Sequence, residues 1–287
     1  MIFKLASGRN IFYEVFGDPE GIPCFFFHGF PGSHAQAKIA EKQALEYKIK
    51  IIAADRPGLG NSDFDSGRTL LSTVQDIEEL ANHLRHEKFY IIGVSGGAPY
   101  ALASTYYFKD RVYGLGLVCP LGPLNEKDFR NTFSTVVKSL FFLVHKYPRL
   151  MKMVYRKIIA KFDKNPDKFL LKMSQRLSPR DRAIMQNPAI LAILRNSFRH
   201  SYKQDPGNVL NDMQIYNSDW GFALSEISNP TIIWHGTSDT IVPYQHSVLI
   251  NKAIPHSQFF TFKDEGHYSV AIDQLPLIMK ELKAIKR

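Results

Sequence analysis

The stretch Gly93-Val94-Ser95-Gly96-Gly97 stands where an apolar run, Phe89-Tyr90-Ile91-Ile92, gives way to helix formers from Ala98 to Tyr107. A serine at the tip of so sharp a strand-to-helix turn takes a strained backbone conformation, and the turn closes only if the positions two before and two after lack bulk. Gly93 and Gly97 meet that demand, with Val94 completing the elbow. The turn lifts the Ser95 hydroxyl clear of the sheet edge. It also aims the first amides of the following helix at a neighbouring anion, so nucleophile and electrostatic stabiliser arise from one feature. The five residues alone carry little weight, since the pattern occurs by chance. The strand predicted before them and the helix predicted after them supply the context the motif requires.

Working outward, apolar runs alternate with helical spacing. Residues 2 to 6 and 10 to 16 predict an antiparallel hairpin at one edge of a sheet. Pro23 to Phe27 predicts a strand covered on both faces that stops at His28-Gly29-Phe30-Pro31-Gly32-Ser33. A helical stretch to about Tyr47 leads to a second strand, Lys50 to Ala54, and to Asp55-Arg56-Pro57-Gly58-Leu59-Gly60-Asn61-Ser62. Val74, Ile77, Leu80 and Leu84 have helical spacing, with Ser72 and Gln75 as a capping box. Val112 to Cys119 reads as a further strand. After Trp220 come a strand at Pro230 to Trp234, the turn His235-Gly236-Thr237-Ser238-Asp239, a helix from Pro243 to about Ala253 and a strand from Gln258 to Phe262. The loop Lys263-Asp264-Glu265-Gly266-His267 and a helix from about Gln274 follow.

Such alternation predicts an α/β fold: a mostly parallel, twisted sheet flanked by helices, joined by right-handed crossovers. In such sheets ligands gather outside the carboxyl ends of the strands, where the loops at His28, Asp55, Ser95 and Pro120 fall. From Leu121 the alternation stops. Phe133, Val136, Val137, Leu140, Phe141 and Val144 follow helical spacing, as do Leu150, Val154, Ile158 and Phe162, while Lys138, Lys152, Arg156 and Lys161 lie opposite them. Ser178-Pro179 and Asn187-Pro188 read as helix starts. Residues 1–120 and 219–287 therefore form a core, and 121–218 an inserted, all-helical lid.

At 287 residues the chain is long enough for one large domain with an insertion. Hydrophobic residues at 45% and charged residues at 22% argue against disorder. The net charge of +9 is not spread evenly. Residues 122–218 hold 18 Lys and Arg against 7 Asp and Glu, a balance of +11, so the rest of the chain carries −2. That segment is suited to an anionic substrate or to weak contact with an acidic membrane surface, although solvated helix faces explain the charge as well. No basic run is interleaved with exposed aromatics, so nucleic acid is not an expected partner. Cys24 and Cys119 lack metal-ligand spacing and read as buried free thiols, and no metal or organic cofactor is expected. Without an apolar leader or a run of about 20 apolar residues, the expectation is a cytoplasmic protein. Oligomeric state leaves no mark in the sequence.

A serine hydroxyl is a poor nucleophile until a base takes its proton, and the base works best when a carboxylate fixes its tautomer. His267 follows the final strand and Asp239 the one before it, giving the order Ser95, Asp239, His267. Asp264, Asp128 and Glu126 compete for the acid. The other histidines lie in predicted helices or, as with His28 and His235, at turns where a loop-shaping hydrogen bond is the plainer role. A tetrahedral oxyanion needs two donors: the Gly96 amide is one, and the Phe30 amide supplies the other if the His28 loop curls back.

Taken together, the His28 to Gly32 loop, the Asp55 to Ser62 loop, the Ser95 turn, His235 to Asp239 and Gly266-His267 resemble the α/β-hydrolase fold superfamily over about 1–120 and 220–287. The resemblance implies a Ser95, His267, Asp239 triad, and it likens the insertion to the helical lid of that superfamily. Dehalogenases and epoxide hydrolases share the His-Gly-x-Pro loop but use aspartate where Ser95 stands. Proline iminopeptidases usually carry a second glycine where Phe30 stands and a tryptophan where Gly96 stands. The expected activity is hydrolysis of a carboxylic ester, a small-molecule acyl substrate, through an acyl-enzyme. An aminopeptidase or amidase of the proline-iminopeptidase type and a non-catalytic ligand-binding protein are the alternatives. Phe129, Phe133, Phe141 and Met151, with Phe142, Met153 and Tyr155, are expected on the inner lid faces, as an acyl pocket or as packing against the core.

Overall fold

The computed structural model describes residues 1–285; the last two residues assigned above to the core, Lys286 and Arg287, lie outside the described residues. The strands are β1 (Ile2–Lys4), β2 (Asn10–Gly17), β3 (Ile22–Phe27), β4 (Ile49–Ala54), β5 (Phe89–Val94), β6 (Val112–Val118), β7 (Thr231–Gly236) and β8 (Ser257–Phe262). They form a single sheet of order β1-β2-β4-β3-β5-β6-β7-β8. β1 and β2 form the expected antiparallel hairpin at one edge, and β3 to β8 run parallel. Strand order reverses direction at β3, between β4 and β5, so the loops after β3 and β5 flank the point where such sheets bind ligands.

The central strands read as continuous apolar runs because both faces are covered. Cys24, Tyr90 and Ile92 pack on one side, while Phe25, Phe27 and Ile91 pack on the other. Between β3 and β4 lies α1 (Glu41–Glu46), and between β4 and β5 lies α2 (Leu70–His83). Val74, Ile77 and Leu80 of α2 are buried as their spacing predicts, each burial contributing about 2 kcal/mol. The capping box of α2 differs from the expected Ser72–Gln75 pair. Thr69 and Ser72 form it, each side chain accepting the other's amide at 3.1 and 2.8 Å. Leu70 packs into the core and draws the helix start back by that much. α3 (Ala98–Phe108) is buried almost all round and follows Ser95 directly, which holds the turn rigid.

Between β6 and β7 the chain is helical: α4 (Lys127–Asn131), α5 (Thr135–Lys146), α6 (Pro148–Lys164), α7 (Pro166–Ser174), α8 (Pro179–Met185), α9 (Pro188–Ser201) and α10 (Val209–Tyr216). Ser178 and Asn187 cap α8 and α9, with proline at the first helical position of each. The apolar stripes expected to seat α5 and α6 do not all face inward. Val136, Leu140, Leu150, Val154 and Ile158 are exposed, as are Phe142 and Met153, which were expected on inner faces. Val144 and Phe162 of those stripes are buried, and Met151 and Ile159 are buried where Leu150 and Ile158 are exposed, because the part of α6 that meets the rest of the protein is centred one residue further along the helix.

After β7 come α11 (Gln245–Ala253), then β8, α12 (His267–Asp273) and α13 (Leu275–Ala284). His267 is thus the first residue of a short helix rather than the last of a loop. None of the helices among the described residues is long and apolar enough to cross a membrane.

Candidate active site

Ser95 sits at φ 56°, the left-handed region the turn demands of it. A Cβ on Gly97 would collide with the Phe27 carbonyl at the end of β3, and one on Gly93 with Ala101 of α3. Those two glycines let strand and helix close around the serine, which keeps 6% of its surface exposed.

His267 is 5% exposed and its Nδ1 lies 2.6 Å from Asp239 Oδ2. The Asp239 side chain is fully buried. Its Oδ1 accepts the amides of Ile241 and Val242 at 2.8 and 3.0 Å, and His235 Nε2 lies 3.0 Å from Oδ2. Burial works to raise the Asp239 pKa, but His267 and His235 outweigh it and hold the carboxyl well below the usual range. An ionised Asp239 fixes the proton on His267 Nδ1, leaving Nε2 as the acceptor. Burial pulls the His267 pKa down, yet the charge and hydrogen bond of Asp239, with the charge of Asp181, raise it overall above 6.5. Among the described residues no hydrogen bond joins Ser95 Oγ to His267. Catalytic hydrogen bonds are often long before substrate arrives.

The competing acids stand elsewhere. Asp264 is exposed in a left-handed turn, its amide bonded to Thr237 Oγ1, and Asp128 and Glu126 are exposed at the start of α4. Of the competing histidines, His28 holds the Gly29 carbonyl at 3.0 Å, and burial, then Arg56, pushes its pKa down to about 3. His246, also pushed by burial to about 3, accepts the Gly122 amide. A second histidine–aspartate pair, His34 and Asp55 at 2.8 Å, meets Glu14 at its other ring nitrogen and orders the loops after β3 and β4.

The His28 loop curls back on a residue to which sequence reasoning gave no role. Arg56, 3% exposed, donates to the carbonyls of His28 at 2.6 Å and Gly29 at 3.3 Å. In a trans peptide the N–H points opposite the carbonyl. With the Gly29 oxygen turned to Arg56, the Phe30 N–H faces the other way and has no acceptor among the described residues. Phe30 backs onto Gly96, where a Cβ would meet the Phe30 Cβ and the Tyr216 hydroxyl. Gly96 itself lies in the first turn after Ser95, where helical amides lack an intrahelical acceptor. Phe30 and Gly96, the candidate oxyanion donors, are thus neighbours.

Two acids of the helical segment between β6 and β7 were also missed. Asp212 of α10 accepts Arg56 at 2.7 and 2.9 Å, Arg68 at 2.5 Å and the Tyr100 hydroxyl at 2.9 Å. Asp181 of α8 accepts the amides of His267, Tyr268 and Ser269, each at 2.9 Å. It does for α12 what an N-cap residue normally does, from 86 positions away in the chain. Arg180 adds an ion pair to Glu265 at 2.8 Å. Asp181→Ala should cost about 2 kcal/mol of stability by leaving three amides without an acceptor. It should also lower kcat about tenfold with KM little changed, because His267 loses its fixed position. Urea unfolding and steady-state kinetics read the two effects separately, and an unaltered kcat would limit Asp181 to a structural role.

Cys119, His235 and Asp239 offer ligand atoms within 4.8 Å of one another. Burial and then the Asp239 charge raise the Cys119 thiol well above its ordinary pKa, and a protonated thiol is a poor metal ligand. A cavity of about 290 Å³ adjoins Asp239 and is lined by Phe133, Val137, Ile241 and Tyr244 among others. Ser95 and His267 do not line it. Of the expected pocket residues only Phe133 does. Phe141 and Met151 join a cluster beside Phe30, and Phe129 packs against Gly122 and His246.

Residues 23–273 match the family described as alpha/beta hydrolase fold, and the chain belongs to that family. Over 282 residues it is 23% identical to a probable proline iminopeptidase of Leptolyngbya boryana, covering 93% of this chain and 87% of that protein. A shorter match, 31% over 117 residues, covers 40% of this chain and 30% of a proline iminopeptidase of Arabidopsis thaliana. Among solved structures, an esterase from Exiguobacterium antarcticum superposes with a TM-score of 0.74 at 18% identity, covering 100% of this chain and 99% of that one.

Proposed function

We propose that the protein is a serine hydrolase that cleaves a carboxylic ester of a small molecule through an acyl-enzyme, with residues 121–218 as a lid over the site. Ser95 Oγ attacks the ester carbonyl while His267 Nε2 takes its proton. Asp239 stabilises the resulting imidazolium. The Phe30 and Gly96 amides receive the oxyanion. His267 then returns the proton to the leaving alcohol. Water repeats the sequence on the acyl-enzyme and frees the acid.

The observation favouring an ester over a peptide is the occupation of the insert's buried carboxylates. An aminopeptidase needs an acidic group to hold the substrate amine, but Asp181 already serves three amides and Asp212 two guanidinium groups. Asp163, Asp167 and Asp205 contact Tyr202, Arg195 and Lys152. The names of the relatives favour the second reading, a proline iminopeptidase. Comparing p-nitrophenyl butyrate with proline p-nitroanilide decides between them: the ester should be the better substrate by kcat/KM, and preference for the anilide would reverse the assignment.

The same ester assay tests the base. His267 must be neutral to accept a proton, and its raised pKa favours the protonated form, so kcat/KM should fall on the acid side with a midpoint above 6.5. In Asp239→Asn the charge that raises it is gone and burial prevails. The midpoint should move below 6.5, and a midpoint that stayed in place would exclude His267 as the titrating group.

A further inference from the structure

The helices α5 and α6 present to solvent several of the apolar residues that their spacing predicts would be buried. Val136, Leu140 and Leu143 recur at i, i+4 and i+7 on α5, and Leu150, Val154 and Ile158 at i, i+4 and i+8 on α6. Val136 is 79% exposed, Phe142 60% and Met153 59%. Exposed apolar side chains are ordinary singly, but runs of them on two successive, touching helices are not.

The charge around them is one-sided. Residues 135–164 contain eight Lys and Arg and a single acid, Asp163. Lys152 and Arg156 are paired with Asp205. Lys146, Arg149, Lys157, Lys161 and Lys164 are exposed and form no ion pair among the described residues. A second copy of this chain would bring like charges together across the contact. A nucleic acid would use the charges and leave the aliphatic side chains in water. An anionic bilayer takes both, with phosphates on the cations and the apolar groups at the acyl boundary.

We propose that α5 and α6 form a docking surface for an anionic lipid membrane, and that the substrate ester is an amphiphile presented there. The inner sides of the same helices bear Phe141, Val144 and Met151, which pack with Phe30 of the candidate oxyanion loop. A lipid-facing surface and the site wall are therefore two sides of one helical pair. The claim about substrate rests on the ester-hydrolase reading; the docking claim does not.

The test uses full-length Ser95→Ala protein, which cannot consume lipid, in sedimentation with phosphatidylcholine vesicles with or without phosphatidylglycerol. Binding is expected to the anionic vesicles and to weaken with added salt. Lys146→Gln, Arg149→Gln and Lys157→Gln together should reduce it about a hundredfold, at about fivefold per charge. Val136→Ser, Leu140→Ser and Phe142→Ser together should also reduce it. Both triple variants on the Ser95 background should keep the wild-type hydrolysis rate on a water-soluble short-chain ester. Equal sedimentation with and without phosphatidylglycerol would overturn the proposal. So would a dimer, seen by sedimentation equilibrium, that the serine variants dissociate. If the protein binds vesicles but cleaves neither soluble nor vesicle-borne ester, the hydrolase reading fails while the docking surface stands.

Discussion

Ser95→Ala is expected to lower kcat/KM for a short-chain ester about ten-thousandfold or more, with folding intact. The size follows from the number of roles that end together. Without the hydroxyl there is no acyl-enzyme, His267 has no proton to take, and the Phe30 and Gly96 amides can only assist direct attack by water. Alanine fits the turn's volume, but at φ 56° it carries the same left-handed strain as serine, so no rise in stability from relief of strain is expected. Retention of most activity would remove Ser95 from the mechanism. Circular dichroism and thermal unfolding of the variant separate a chemical loss from a folding loss.

The second large effect falls on stability. Asp212→Ala would leave Arg56 and Arg68, whose side chains are 2% and 1% exposed, without their shared carboxylate. Removing one partner from a buried ion pair costs about 3–5 kcal/mol, because the remaining charge is left uncompensated. For a chain of this size that is a fall of about 10 °C in melting temperature. Burial works to raise the Asp212 pKa, and the two arginines outweigh it and bring it down to about 2. A depressed carboxyl stabilises the fold above its unfolded pKa, so this contribution is present at neutral pH and lost only as pH falls toward about 2. Activity should drop as well, since Arg56 also fixes the His28 and Gly29 carbonyls. A melting temperature unchanged at neutral pH would mean that the carboxylate does not hold α10 to Arg56 and Arg68.

What the sequence disclosed was local. Alternating apolar runs reveal strands because each strand's own residues meet the core, and the turn at Ser95 needs its own two glycines. The mostly parallel sheet and the edge carrying the candidate site were legible for that reason. Asp181 was not legible, because its effect on His267 passes through backbone amides 86 residues away. The absence of a capping side chain before His267 hid α12: Gly266 stands at the N-cap position, and Ser269 serves only the Gly266 amide. Periodicity also misled on α5 and α6, where an apolar stripe shows that a helix is amphipathic but not which neighbour covers it. Arg56 stood in a loop already singled out, yet only its contacts with two carbonyls reveal what it orients.

One serine, aimed by its turn and served by the His267–Asp239 pair, is expected to react with an acyl-like electrophile. Labelling the native protein with a fluorophosphonate and mapping the adduct by peptide mass spectrometry tests it directly. One adduct is expected, on Ser95, forming far more slowly in His267→Ala and not at all after heat denaturation. An adduct on another residue, or labelling that survives in Ser95→Ala, would contradict it.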